Sequence, residues 1–132
     1  MSARNTVKRS IVFFLVPEFT MIAFATAIEP LRAANRMLGY PAYQWRLASV
    51  DGKPVKASNS VECAVDTSLE VERRKMTGGD RPSMVIVCSG VNVETYSNKT
   101  TFAWLREEYN RGVSIGGLCT GEHMRAGAQA AD

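Results

Sequence analysis

Ile11-Val12-Phe13-Phe14-Leu15-Val16, closed by Pro17-Glu18 and followed by a helical period from Phe19 to Leu38, decides the fold. The six-residue run is unbroken apolar and rich in aromatic and β-branched side chains. Such a run reads as a strand buried on both faces, as in a parallel sheet. Pro17-Glu18 ends it. In the next segment Ile22, Ala25, Ile28 and Leu31 line one side, while Thr26, Glu29, Arg32 and Arg36 form a polar stripe. Pro30 lies inside this helix, deletes one backbone hydrogen bond and should bend the axis. Gly39 and Pro41 stop the helix.

Working outward, Tyr43 to Val50 reads as a second strand, Asp51-Gly52 as a turn, and Val55 to Val61 as a short return strand or arm. Leu69-Glu70-Val71-Glu72 hints at a short helix or strand, and Arg73-Arg74-Lys75 reads as a solvated face rather than a nucleic-acid contact. Met84 to Cys88 is a third buried strand, ending in Ser89-Gly90. Ser97 or Asn98 caps a helix running to Arg111, with Phe102, Leu105 and Tyr109 inward and Glu107–Arg111 as an i,i+4 pair. Gly112 terminates it, and Val113 to Leu118 returns to strand character. Strands alternating with helices predict an α/β fold with a mainly parallel sheet. Sites in such sheets form beyond the carboxyl ends of the strands. Three loops should therefore converge: Pro17 to Thr20, Cys88 to Asn92, and Gly117 to Gly121.

The chain of 132 residues is one domain's worth, with residues 1–9 as a polar, basic leader and 10–132 as the domain. A net charge of +3, evenly spread, gives no argument for nucleic-acid binding by this chain. Cys63, Cys88 and Cys119 are irregularly spaced and His123 is the sole histidine, so neither a structural metal site nor a cofactor is expected. The N-terminus mimics a signal peptide, but its apolar run is short and lacks a small-residue cleavage site. No run reaches membrane-spanning length, and a cytoplasmic location without membrane contact is expected.

Gly117-Leu118-Cys119-Thr120-Gly121 follows the last strand with the small-x-nucleophile-x-small pattern of a nucleophile elbow. A sharp strand-to-helix turn strains the central residue, and glycine two positions away on either side removes the clash. A helix start at Glu122 would favour the Cys119 thiolate. An ordinary buried cysteine in a glycine-rich connection accounts for the same pattern. Ser89-Gly90-Val91 could offer backbone N–H groups to a ligand carboxylate, or be a plain strand-ending turn. Glu18 reads as a substitute acid or as a solvated loop residue, and His123 as a surface residue or a neighbour of Cys119.

The sequence resembles the class I glutamine amidotransferase-like (ThiJ/PfpI, DJ-1-like) superfamily, and more closely the N-terminal domain of AraC-type transcriptional regulators. The resemblance rests on Phe14-Leu15-Val16-Pro17, the segment Ala23 to Asn35 with its Glu29-Pro30-Leu31-Arg32-Ala33-Ala34-Asn35, Tyr43 to Leu47, Asp51 to Val55 and Ala57-Ser58-Asn59. Val87-Cys88-Ser89-Gly90 and the Cys119 elbow complete it. It implies a flavodoxin-like three-layer sandwich, incomplete at its C-terminus, that senses a small metabolite in a transcriptional regulator. The implied partners are a small-molecule effector, a second copy in a homodimer, and DNA through a C-terminal helix-turn-helix domain; no helix-turn-helix pattern is visible within residues 1–132. Enzymatic relatives use the elbow cysteine with an acid on the first helix and often a histidine after the cysteine. Here Ala23 and Thr120 stand at those positions. The expectation is a non-catalytic sensor with ligand contacts at Pro17, Glu18, Ser89, Gly90, Val91, Cys119 and Thr120. The alternative is a cysteine-dependent enzyme (amidase, hydratase or glyoxalase-like) using Cys119.

Overall fold

The N-terminal apolar run forms β1 (Arg9–Leu15), the middle strand of a five-stranded sheet. The structure is a computed structural model that describes residues 8–96 and 98–118. After β1 come α1 (Met21–Leu38), β2 (Tyr43–Ser49), a short arm of β3 (Val55–Lys56) and β4 (Glu62–Cys63), β5 (Thr67–Ser68) and α2 (Leu69–Lys75). The chain continues through β6 (Met84–Cys88), α3 (Val93–Tyr96), α4 (Lys99–Asn110) and β7 (Ser114–Leu118). The sheet order is β5-β2-β1-β6-β7, with every neighbouring pair parallel, whereas β3 and β4 pair antiparallel in their own small sheet. Arg9, the last residue of the expected leader, pairs with Tyr43 and donates its N–H to the Ala42 carbonyl at 2.8 Å.

The twofold periodicity of a strand makes β1 serve two cores. Ile11, Phe13 and Leu15 belong to an apolar cluster with Phe19 and Phe24, against which Ala27, Ile28 and Leu31 of α1 pack. Val12, Phe14 and Val16 belong to the opposite cluster, with Leu69, Met76, Trp104 and Leu105 from the α2–α4 side. Aromatic contacts anchor both faces. Phe24 sits edge-on to Phe13 and Phe19 at centroid distances of 5.5 and 5.8 Å, and Phe14 lies 5.1 Å from Trp104. The three layers are helix, sheet, helix.

Helix α1 runs unbroken past Pro30 and ends at Gly39, whose φ of 81° suits a residue without Cβ and whose N–H returns to the Asn35 carbonyl. The Asn35 amide then grips Tyr43 through both its backbone groups at 2.8 Å, joining the end of α1 to the start of β2. Ile22, expected inward, is 72 % exposed, and Phe24 holds the buried position instead. Helical spacing defines a face but not its rotation; the aromatic pair on β1 and the loop set that. Tyr109, also expected inward, is 41 % exposed. Trp104 and Leu105 fill the space beneath α4.

Charged groups tie the α2–α4 layer together. Asn98 caps α4 by accepting from the Thr101 N–H at 2.8 Å, and Ser68 caps α2. Glu107 does not pair with Arg111 as spacing suggested but with Arg73 of α2, at 2.7 Å, an inter-helix bridge that the i,i+4 rule has no means to foresee. Arg74 meets Glu70 and Lys75 approaches Asp80, so the basic triplet is a solvated surface whose charges are also paired. Deeper, Arg46 of β2 holds the fully buried Glu72 through two bonds of 2.6 and 2.8 Å. Glu108 is equally buried. One of its oxygens accepts from the Trp104 indole N–H at 3.0 Å. Burial pushes its carboxyl up to about 7; the indole bond, Arg46 and Arg81 pull the other way, and the charge of Glu72 adds to the rise.

Candidate functional site

The site is assembled where β1, β2 and β6 run out. Beyond Leu15 the chain cannot continue the ladder through Pro17, and it turns sharply at Glu18. Glu18 has φ 67°, a left-handed conformation that costs a non-glycine residue about 1–2 kcal/mol. Its surroundings hold it there. The Glu18 N–H donates to the Lys56 carbonyl at 2.8 Å, and the Ser58 N–H donates to the Phe19 carbonyl at 2.9 Å, so the β3–β4 arm is stitched along the turn. On the other side the Val16 N–H donates to the Cys88 carbonyl and the Thr20 N–H to the Ser89 carbonyl.

Both carboxylate oxygens of Glu18 are engaged. Oε1 accepts from Asn92 Nδ2 at 2.6 Å and Oε2 from the Tyr96 hydroxyl at 2.8 Å. The bond from Asn92, followed by that from Tyr96, holds the Glu18 carboxyl below the usual carboxylate range. Its bond to Glu18, aided by desolvation, raises the Tyr96 phenol. Gly90 is required at this junction for contact rather than for φ. A Cβ there would lie 2.3 Å from the Glu18 carbonyl oxygen, well inside van der Waals distance.

A cavity of about 490 Å³ opens beside this clasp, over the carboxyl ends of β1 and β2. Leu15, Pro17, Pro54 and Val55 give it an apolar wall. Asp51, Lys56 and Tyr96 add polar groups, and Tyr96 thus belongs both to the wall and to the clasp. The Asp51 carboxylate is itself positioned by the Lys53 N–H at 3.0 Å, within the Asp51-Gly52 turn that follows β2. A size of several hundred cubic ångströms, mostly apolar with a few convergent polar groups, suits a small organic molecule. A hollow of about 300 Å³ between α1 and the amino ends of β1 and β6 is lined mainly by Ile11, Ala27, Leu31, Met84 and Ile86. It lies at the end of the sheet opposite to where parallel α/β folds place their sites.

The residues expected to contact ligand separate into four groups. Pro17 lines the cavity, while Glu18, Ser89 and Gly90 form the seam immediately behind it. Val91 is 89 % exposed and stands outside it. Cys119 and Thr120, with the rest of the elbow and His123, lie outside the described residues, as does Ser97. The loops Pro17 to Thr20 and Cys88 to Asn92 do meet; β7 reaches the same end of the sheet, where Leu118 pairs with Cys88. Cys88 is buried, and burial pushes up the thiol of the half-buried Cys63. Among the described residues no cluster of three or more His, Cys, Asp or Glu could hold a metal ion. Reading the sequence missed Lys56, Asn92 and Tyr96. The Asp51-Gly52 turn was a usable signal for Asp51, but nothing local marks Tyr96.

Comparison with known proteins places this geometry in context. No protein-family model matches the chain. The chain is 32 % identical over 125 residues to the HTH-type transcriptional regulator GbdR of Pseudomonas aeruginosa, an alignment covering 95 % of this chain and 32 % of the regulator. It is 35 % identical over 116 residues to the HTH-type transcriptional regulator CdhR of the same species, covering 88 % of this chain and 32 % of that protein. The chain therefore spans about a third of the length of these curated relatives. Among solved structures, an AraC family transcriptional regulator from Pseudomonas putida superposes with a TM-score of 0.66 at 23 % identity, over 83 % of this chain and 55 % of that one. A DJ-1 superfamily protein from Agrobacterium tumefaciens gives 0.70 at 19 % identity, over 92 % and 59 %. A ThiJ/PfpI domain protein from Brachyspira murdochii gives 0.72 at 12 % identity, over 94 % and 66 %. These likenesses establish a shared flavodoxin-like fold.

Proposed function

We propose that this chain, homologous over nearly its whole length to HTH-type transcriptional regulators of the AraC type and built on the ThiJ/PfpI fold, is the effector-sensing, non-catalytic domain of such a regulator. The observation that carries this reading is the cavity of about 490 Å³ at the carboxyl ends of β1 and β2, walled by Pro17, Lys56 and Tyr96. Its apolar floor supplies affinity, and its few polar groups supply orientation. The elbow sequence supports a binding rather than a catalytic role, because Ala23 and Thr120 occupy the positions of the acid and histidine that enzymatic relatives use. DNA contact belongs to a separate helix-turn-helix domain, and the chain acts as a homodimer, which sedimentation velocity would register as twice the monomer mass. Among the described residues no helix is long and apolar enough to cross a membrane.

The test is a thermal-shift screen of the chain against amino acids, quaternary amines and related small metabolites. A ligand at about 100 times its Kd stabilises the folded state by roughly 2.7 kcal/mol, a shift of several degrees. Lys56→Ala, which removes a cavity-wall charge without touching either core, should weaken the response. A screen across these classes that moves Tm for none of them refutes the sensor reading.

A further inference from the structure

The β1–α1 turn carries a side chain that folding alone does not favour. Glycine at position 18 would adopt φ 67° without steric cost, whereas glutamate is strained there, and strained non-glycine residues concentrate at functional positions. What the glutamate adds is its carboxylate, and that carboxylate bridges Asn92, in the loop after β6, and Tyr96, at the end of α3. Tyr96 ends the four-residue α3 and lines the cavity; Asn98, which also lines the cavity, caps α4. Two of the turn's own connections reach the same wall, through Pro17 and through the Lys56 carbonyl. Glu18 thus stands directly behind the cavity without lining it, and its carboxylate reaches the wall through the Tyr96 phenol.

We propose that Glu18 is the latch of this cavity. Its carboxylate draws Tyr96 onto the β1–α1 turn, and a molecule filling the cavity takes Tyr96 away from Glu18. Release of the latch frees α3 and so passes occupancy on toward the capped start of α4. Glu18 is a positioning residue here, acting through Tyr96. The latch rests on the reading of this cavity as the effector site, but its first test needs no effector.

Hydrogen exchange of the amides from Asn92 to Tyr96, measured in the whole chain, reads the latch directly. Glu18→Gly relaxes the backbone and deletes the carboxylate. The expected result is a Tm equal to or above that of the parent chain with exchange at Asn92 to Tyr96 about tenfold faster or more, reflecting lost charge-assisted bonds. Tyr96→Phe should accelerate the same amides. Unchanged exchange in both variants overturns the latch. A lowered Tm in Glu18→Gly without local acceleration also overturns it, since that is the mark of a merely structural residue.

The link to occupancy is read with Pro54→Trp, which sets an indole at the cavity wall as a built-in occupant. It should accelerate Asn92 to Tyr96 in the parent chain and add nothing in the Glu18→Gly background. Additive effects would overturn the coupling. A failed metabolite screen alongside accelerated exchange would remove the sensor reading while leaving the Glu18–Tyr96 contact in place; a successful screen with unchanged exchange would do the reverse.

Discussion

Glu108 shows how a single buried acid sets a pH dependence. Its unfolded carboxyl titrates near 4.5 and its folded one at about 7, so the folded state binds the extra proton between those values. Its stabilising contribution is complete below pH 4.5 and is lost as pH rises through about 7. The difference corresponds to roughly 3 kcal/mol at most. Glu108→Gln, which keeps an oxygen for the Trp104 indole, should flatten the fall in Tm between pH 5 and 8 and raise Tm at pH 8; a persistent slope would reassign the effect. Cys119 is a second test at this scale. If Ala23 and Thr120 stand where the family resemblance puts the acid and the histidine, its alkylation rate should follow an ordinary thiol profile centred near pH ~8.5, with Cys119→Ser as the control. A profile centred well below that would restore the enzymatic alternative.

Between elements, the contact of β2 with α2 depends on Arg46 and Glu72. Removing one partner of a buried pair strands the other charge, at a cost of roughly 3–5 kcal/mol for full burial and less here, because the arginine keeps 22 % of its side-chain exposure. Arg46→Met should therefore lower stability by about 2–3 kcal/mol in urea unfolding. Arg46→Met with Glu72→Leu should recover most of that loss. The elements themselves were legible to the degree that they are local. The runs at 11–16 and 84–88 are apolar throughout because both faces of each strand are covered, and that covering is written in the sequence. Asn98 and Gly112 announced the bounds of α4 by their own chemistry. The arm of Val55–Lys56 and Glu62–Cys63 was legible only in outline, since strands of two residues are held by the Glu18 turn rather than by propensity. Ile22 and Tyr109 were misplaced because periodicity cannot say which neighbour a face will meet. Tyr96 was invisible for the same reason: its partner lies 78 positions away.

At the scale of the whole molecule, the sheet order β5-β2-β1-β6-β7 gathers the loop ends into one site from segments far apart in sequence. The convergence of the first two loops followed from alternation of strands and helices alone, whereas the cavity depends on the arm, which alternation does not foresee. Homology covers the chain but only about a third of each relative. Coding DNA downstream of Asp132 is accordingly expected to continue in frame into a helix-turn-helix segment; an immediate stop codon in the native gene would contradict the proposed architecture.

Because successive side chains of β1 feed opposite cores, its spacing matters more than its composition. Exchanging Val12 for isoleucine alters one cluster by a methylene, but inserting one residue between Val12 and Phe13 would transpose Phe13, Phe14 and Leu15 together. Length polymorphism should thus be excluded from this strand even where residue substitution is freely accepted.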